Sequence, residues 1–417
     1  MKSISLNLKP ALVTFLILSV LFPNISTADV DNKAKVLFRN CMLYLEAKDY
    51  DEAVRICKES VRIKPDFAEA HFALGYAYDK LGRYQDEIEA LNTGLSIKPE
   101  YADAYLSLGY AYERLNRHKE AIRAFKQALK IKPDYLDAHL AMGYVYDKLG
   151  KCDETVKICE EAIKIDPNLL QAHLTQGYAY DKLGRYEDVI KSMKESIRIN
   201  PDDKEAYFTL GYAYDKLGRH EESVKSFREV LRITPDNVAA YIAIAYAYNK
   251  LGLYEEEIIA YKSALEIVPD FEVAHLGLGY SYDKLGRYKE AVQSYRKVLS
   301  ISPDAVSVYL ALGYAYDKLG DVQNSTGSFK EALKIMPGSA EAYVGLGIAY
   351  DKQGRYPEAI NSFKNAIKYN KDLADAYFGL GAVYYLQGNK DKALDQYKIL
   401  ETLDPEKADT LHKFIIK

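Results

Sequence analysis

Tryptophan is absent from the 417 residues, and neither sign of charge dominates, with 56 Lys and Arg against 60 Asp and Glu. A general nucleic-acid binder needs a basic excess to neutralise phosphates, so the net charge of -4 argues against that class. Disorder is excluded for the bulk of the chain, because 48% of its residues are apolar. The chain is also too long for one ordinary hydrophobic core, which stops growing near ~250–300 residues.

The sequence lacks an apolar run long enough to cross a membrane. Its best candidate, Ala11–Phe22, falls short of the ~18 residues that a spanning helix needs. This run follows Lys2 and Lys9 and precedes the small residues Ser26-Thr27-Ala28, so residues 1–28 are predicted to be a signal peptide. We therefore expect an exported protein, periplasmic or secreted, with no transmembrane span after cleavage. An uncleaved N-terminal membrane anchor is the alternative.

Catalytic motifs are lacking as well. No HExxH, GxSxG, P-loop or CxxC sequence occurs. Four of the seven histidines share one place in a repeating pattern with tyrosines, which indicates core aromatics rather than metal ligands. These are His71, His139, His173 and His275. We predict a protein that is not an enzyme and that needs no cofactor or metal.

Tyrosine, in contrast, occurs 38 times, which suggests that one short pattern has been copied many times. Prolines recur every 34 residues, at 65, 99, 133, 167, 201, 235, 269, 303 and 337; Lys371 takes the next place and Pro405 the one after. This period predicts a solenoid of eleven stacked repeats over residues 34–407. Position 1 of each repeat is Ala34, Ala68, Ala102 and every 34th residue up to Ala374.

Each repeat reads as a pair of helices. Two apolar helical patterns flank a Leu-Gly turn such as Leu81-Gly82, where glycine can end the first helix in the left-handed conformation. The proline of the period ends the second helix. Residues 29–33 are a lead-in, and 408–417 are predicted to form a short C-terminal capping helix with Leu411, Phe414 and Ile415.

This pattern resembles the tetratricopeptide repeat family over nearly all of residues 34–407. In the second repeat the signature places hold His71, Leu74, Gly75, Tyr78, Tyr84, Leu91 and Pro99. The resemblance implies an all-α, right-handed superhelical solenoid whose first helices line a concave groove that binds extended peptides. Some repeats depart from the pattern. Glu87 and Glu257 replace a small residue, Ala245 a glycine and Lys371 a proline.

A helical wheel separates two faces of the first helix in each repeat. Position 11 is Tyr in all eleven repeats, from Tyr44 to Tyr384, in the middle of the apolar stripe, which predicts core packing. Position 9 points the opposite way and yet is also Tyr in eight consecutive repeats: Tyr76, Tyr110, Tyr144, Tyr178, Tyr212, Tyr246, Tyr280 and Tyr314.

Two further rows accompany these tyrosines, because positions 5 and 12 lie on the same face of the helix. Position 5 is apolar, as in Leu140, Leu174 and Phe208, and position 12 is mostly acidic, with Asp79, Asp147, Asp181, Asp215, Asn249, Asp283 and Asp317. We interpret this second face as a groove that binds a basic or apolar segment of a partner protein.

Three alternatives remain open at this level. The tyrosines can pack laterally between first helices, with Lys at position 13 neutralising the neighbouring Asp. Tyr rings beside carboxylates also suit a carbohydrate-handling module of an envelope polysaccharide export system. A third interpretation is an architectural spacer that docks through its ends.

The four cysteines are interpreted in two ways, because disulfides form in exported proteins. Cys41 and Cys57 lie opposite one another if the helices of the first repeat are antiparallel, and so can form a disulfide. Cys152 and Cys159 are seven residues apart on one helix, too far for a disulfide. Alternatively, all four are small core residues.

Overall fold

The computed structural model describes residues 27–416, so the predicted signal peptide lies outside the described residues except for its last two positions. Within this range the chain forms helices and no strand. The helices are α1 Thr27–Glu46, α2 Tyr50–Ile63, α3 Ala68–Lys80, α4 Tyr84–Ile97, α5 Ala102–Arg114, α6 His118–Ile131, α7 Leu136–Lys148, α8 Cys152–Ile165, α9 Leu170–Lys182, α10 Tyr186–Ile199, α11 Lys204–Lys216, α12 His220–Ile233, α13 Val238–Leu251, α14 Tyr254–Ile267, α15 Glu272–Lys284, α16 Tyr288–Ile301, α17 Val306–Lys318, α18 Val322–Ile335, α19 Ala340–Lys352, α20 Tyr356–Tyr369, α21 Ala374–Leu386, α22 Lys390–Leu403 and α23 Pro405–Ile416. Each repeat supplies one consecutive pair, and α23 follows the last.

The turn inside each repeat has a residue in the left-handed conformation, which is the predicted glycine except at Lys48 and Asn116. Gly82 has a φ of 70°, and Asn116 takes the same conformation in the third repeat with a φ of 57°. The Arg83 backbone N–H then donates to the Tyr78 carbonyl at 2.9 Å, which satisfies a carbonyl at the end of α3. Glycine adopts this conformation without steric cost, whereas Asn is among the few other residues that tolerate it.

The second helix ends at an extended residue before the proline of the period. Lys98, before Pro99, has φ -126° and ψ 82°, the region to which a following proline restricts a residue. In the tenth repeat Lys371 replaces the proline, yet Asn370 keeps φ -140° and ψ 102°. The Asn370 side chain also accepts a bond from the Asp372 backbone N–H at 3.0 Å. An Asx turn therefore takes over the role of the missing proline.

Glycines inside the first helices let large aromatic side chains of the second helices approach the backbone. A Cβ built on Gly109 would lie 2.3 Å from the Phe125 ring, and one on Gly279 would lie 2.3 Å from the Tyr295 ring. Gly277, two residues before Gly279, faces Tyr261 in the same way at 2.2 Å. The Gly-Leu-Gly sequence of residues 277–279 is thus a packing feature.

The chain divides into two compact units, residues 1–175 and 176–417, and the division falls within α9. In the first unit Phe125, Met142 and Cys159 belong to one buried cluster. In the second unit one cluster contains Phe227 and Tyr295, and another contains Phe363 and Leu400. Leu411 and Ile415 of α23 are buried in that last cluster, so α23 covers the end of the final helix pair.

The tyrosines of position 11 pack into the core. Those buried to less than 9% exposure are Tyr78, Tyr146, Tyr180, Tyr214, Tyr282, Tyr316, Tyr350 and Tyr384. Tyr44, in the first repeat, is 36% exposed. The prediction of core packing is therefore confirmed for these eight residues.

Candidate functional site

The tyrosines of position 9 differ in exposure between the two units. Tyr76, Tyr110 and Tyr144, in the first unit, are half-buried. The five in the second unit are exposed, from 37% for Tyr178 to 47% for Tyr246; they are Tyr178, Tyr212, Tyr246, Tyr280 and Tyr314. We call these five residues the tyrosine face. Aromatic rings exposed on consecutive repeats are typical of a contact surface for a partner.

One edge of several position-9 rings packs against the second helix of the same repeat. Tyr280 and Tyr295 have ring centroids 5.7 Å apart, and Tyr314 and Phe329 have centroids 5.1 Å apart, both edge to face. Tyr110 meets Phe125 in the same arrangement at 5.5 Å. The rings are therefore held in place by their own repeats, while those of the tyrosine face keep more than a third of their surface accessible.

Lysine at position 13 lies over the ring at position 9 of the same helix. The Lys216 Nζ atom is 4.9 Å from the centroid of the Tyr212 ring, and the Lys250 Nζ atom is 5.1 Å from that of Tyr246. Lys80 and Lys148 take the same place over Tyr76 and Tyr144. A spacing of four residues brings the two side chains together, so the repeated Tyr-x-x-x-Lys spacing was the sequence signal for these contacts.

The carboxylates of position 12 are half-buried and mostly engaged. Asp79 pairs with Lys80 at 2.7 Å, Asp215 accepts from the His220 Nδ1 atom at 2.9 Å, and Asp317 pairs with Lys352 at 2.7 Å. Asn249, the one amide of this row, donates to both carboxylate oxygens of Glu257 at 3.2 Å. Asp147 also has a partner. The neutralisation of Asp by Lys, one of the alternatives above, therefore occurs at some of these positions.

Burial shifts the ionisation of several groups on this face. Desolvation raises the pKa of Asp181 and of Asp283, and a lysine of the next repeat acts against it in each case. Desolvation also raises the pKa of Tyr178 and Tyr314, and it raises that of Tyr110 to about 12. The phenol groups therefore stay neutral and present hydrogen-bonding hydroxyls at physiological pH.

The apolar residues of position 5 serve the core as well as this face. Leu106 is only 3% exposed, Leu140 packs against the same cluster, and Phe208 lies edge-on to Phe227 with centroids 5.1 Å apart. Leu174 is half-buried. Leu106, Leu140 and Phe208, which the wheel places on the face opposite the core stripe, therefore also contact the core.

Two recurrent contacts were missed at the sequence level. Arginine at position 16 stacks on the core tyrosine at position 11, as Arg83 does on Tyr78 at 4.6 Å. The Nε2 atom of His71 bonds to the carbonyl oxygen of Pro65 at 2.9 Å. His139 and His173 do the same with Pro133 and Pro167, so these histidines join one repeat to the preceding turn.

The structure places Cys41 and Cys57 in a disulfide between α1 and α2, with an S–S distance of 2.04 Å and 5.4 Å between Cα atoms. Cys152 and Cys159 are free and buried. Across residues 27–416 no group of His, Cys, Asp or Glu side chains is placed to hold a metal ion. In the same range no helix has the length and apolar character to cross a membrane.

The chain belongs to the tetratricopeptide repeat family. Profiles of this family match residues 44–108, 102–135, 136–169, 177–218, 204–237, 238–271, 281–320, 306–338, 349–388 and 375–406. Proteins built from these repeats are generally non-catalytic scaffolds for protein–protein interaction, so the family membership supports that role here. No curated protein matches the chain.

Several solved structures are similar to parts of the chain. The MamA protein is 26% identical over 40% of this chain and 91% of its own, with a TM-score of 0.39. YrrB, described as a repeat protein with an unusual peptide-binding site, is 20% identical over 45% of this chain and 96% of its own, with a TM-score of 0.41. The Cut9-Hcn1 assembly matches 94% of this chain and 99% of its own at 16% identity, with a TM-score of 0.41.

Proposed function

We propose that this protein is a non-enzymatic scaffold that holds an extended segment of a partner protein on its tyrosine face. The observation that carries the proposal is the run of five position-9 tyrosines in the second unit, each at least 37% exposed. Rings of this kind offer rigid contact area and a polar tip at low entropic cost, which is why Tyr is common at energetic centres of interfaces.

The polar groups beside the rings restrict which chemical groups a bound segment can present to the tyrosine face. Lys216 and Lys250 lie over their rings, and Asp181 and Asp283 stand half-buried on the same side of the helix. An extended peptide satisfies such a surface with apolar side chains against the rings and backbone amides toward the carboxylates and phenols.

The test compares the mature chain with a Tyr178→Ala, Tyr212→Ala, Tyr246→Ala variant as bait in an extract of the cell envelope. Captured proteins are identified by mass spectrometry and their affinities are then measured with purified partner. We expect the variant to lose at least about tenfold in affinity, since truncating a central interface tyrosine costs roughly 1–2 kcal/mol.

The matched control replaces the same three residues by Phe, which keeps the rings and removes only the hydroxyls. Circular dichroism shows whether each variant keeps its helices. A partner held equally by the native chain and the Ala variant refutes the tyrosine face as the binding site. Capture of nothing by either, with binding on a glycan array, favours the carbohydrate alternative.

We also propose that the chain is exported and works in the cell envelope. The support is the sequence of residues 1–28, with Lys2 and Lys9 before an apolar run and small residues at its end. Sequencing the N-terminus of the protein purified from its native source tests this. Mature chains that begin near Asp29 support export, whereas chains that retain residues 1–28 in a soluble cytosolic fraction contradict it.

A further inference from the structure

An ion pair that links successive repeats recurs along the chain. The Lys148 Nζ atom lies 2.6 Å from the Glu113 Oε1 atom, and the Lys352 Nζ atom lies 2.7 Å from the Asp317 Oδ1 atom. In both cases the lysine is at position 13 and the acid at position 12 of the preceding repeat, 35 residues earlier. We call this arrangement the inter-repeat carboxylate site.

These sites are partly closed to solvent. The side chains of Glu113 and Asp317 keep only 14% and 12% of their surface exposed. The same geometry places Lys216 near Asp181 and Lys318 near Asp283, where each lysine favours the charged form of the acid. A half-buried carboxylate thus recurs in four repeats, at Glu113, Asp181, Asp283 and Asp317, and an ammonium group from the next repeat compensates it.

The last site of this kind, at Asp351, has no such partner. The residue 35 positions later is Leu386, which is 47% exposed and carries no charge. The Oδ1 atom of Asp351 is buried and makes no hydrogen bond. Lys352, the adjacent cation, already donates to both carboxylate oxygens of Asp317 at 2.7 and 2.8 Å. Desolvation accordingly raises the pKa of Asp351.

The end of α21, where the lysine is missing, is apolar. Tyr385, next to Leu386, packs edge to face against Phe414 with ring centroids 5.1 Å apart, and Phe414 is itself 42% exposed. The first helix of the final repeat therefore presents an exposed apolar side chain, Leu386, where earlier repeats present a lysine. A ligand that fills this place needs a cation for Asp351 and an apolar group for Leu386.

We propose that Asp351 binds a guanidinium or ammonium group of the partner segment, in the place that a lysine of the next repeat occupies at Glu113 and Asp317. A neighbouring apolar side chain of the segment packs on Leu386. The Lys148–Glu113 and Lys352–Asp317 ion pairs show how a cation binds at this position in other repeats. This inference rests on the proposed function, because the ligand is a segment of a partner protein.

A charged hydrogen bond in a partly buried place favours a cation over a neutral group of the same shape. Without such a ligand Asp351 is a half-buried carboxylate whose neighbouring cation, Lys352, is already hydrogen-bonded to Asp317. Arginine represents these cations in the test, because its guanidinium group keeps its charge throughout the working pH range.

The test uses two pools of fluorescein-labelled twelve-residue peptides that are random except at one central position. That position is arginine in one pool and citrulline, its uncharged isostere, in the other. Fluorescence polarisation measures binding of each pool to the full mature chain and to Asp351→Asn and Leu386→Lys variants. We expect the native chain to bind the arginine pool about tenfold more tightly, and both variants to lose this preference.

The second variant keeps the test independent of folding defects. Leu386→Lys restores the ion pair seen at Asp317, so it should unfold at a higher temperature than Leu386→Gln while it loses the preference for arginine. Equal binding of both pools by the native chain, or no binding of either, overturns the cation site. The proposed function is tested separately. It fails if the Tyr178→Ala, Tyr212→Ala, Tyr246→Ala variant still binds the partner as the native chain does.

Discussion

The second and seventh repeats depart from the repeat pattern at the same position, but the surroundings of the substituted residue differ. Both place a glutamate at position 20, where it is buried: Glu87 is 3% exposed and Glu257 is 2% exposed. Glu87 faces Asp79, and its Oε2 atom is buried without a hydrogen-bond partner. Glu257 instead accepts two bonds from the Asn249 side chain, and the Tyr261 hydroxyl adds another.

Position 12 accounts for part of the difference, because it is Asp79 in one repeat and Asn249 in the other, and Tyr261 is replaced by Leu91 in the second repeat. Burial, followed by the charge of Asp79, raises the pKa of Glu87 to about 9. Burial also raises the pKa of Glu257, whereas the Asn249 amide acts in the opposite direction. A buried acid is thus tolerated as a neutral group in the second repeat and as a hydrogen-bonded group in the seventh.

The largest expected effect is that of Glu87→Gln. Because the pKa of Glu87 is higher in the folded chain than its ordinary value of 4.5, the folded state binds the proton more tightly. The stability that this proton supplies is full below pH ~4.5 and is lost as the pH rises to ~9. Gln keeps the neutral form at all pH values, so we expect α3 and α4 to be more stable by about 3 kcal/mol at pH 7.

Hydrogen exchange of the α3 and α4 amides at pH 5, 7 and 8 measures this change repeat by repeat, which suits a chain whose repeats need not unfold together. The gain should grow with pH. A gain of the same size at each pH would show that Glu87 is already charged in the folded chain.

A smaller effect of opposite sign is expected for Asn249→Asp, which gives the seventh repeat the pair found in the second. The change removes the bonds donated to Glu257 and places a like charge beside it. We expect a loss of about 2 kcal/mol at pH 7 that diminishes as the pH falls. Urea unfolding followed through exchange of α13 and α14 measures it; an unchanged stability would mean that Glu257 does not depend on Asn249.

The smallest effect is expected for Asp79→Asn, the reverse exchange in the second repeat. It removes the like charge from Glu87 but also the half-buried ion pair with Lys80, and the loss of that pair offsets part of the gain. We expect a gain of about 1 kcal/mol and a lower pKa for Glu87. A carbon-detected NMR titration of the Glu87 carboxyl compares the variant with the native chain, and an unshifted midpoint would contradict the role given to Asp79.

Much of the fold could be predicted from single repeats, because helix patterns and turn residues act locally. The positive φ of Gly82 and the extended residue before Pro99 follow from their own residue types. The candidate site was harder to predict from the sequence. Its tyrosines could be located on the wheel, but their edge contacts with Phe125 or Phe329 depend on a helix that the wheel omits.

The 34-residue period, the paired helices and the core position of the position-11 tyrosines follow from the sequence alone, since they depend on contacts within a few residues or on the repeat itself. Which lysine meets which carboxylate is set by tertiary packing, because those partners stand 35 residues apart and belong to different repeats. Packing also leaves Glu87 and Asp351 each with a buried oxygen that has no hydrogen-bond partner. The physical reason is that burial and counter-charge arise where helices of neighbouring repeats meet, and no single helix contains that information.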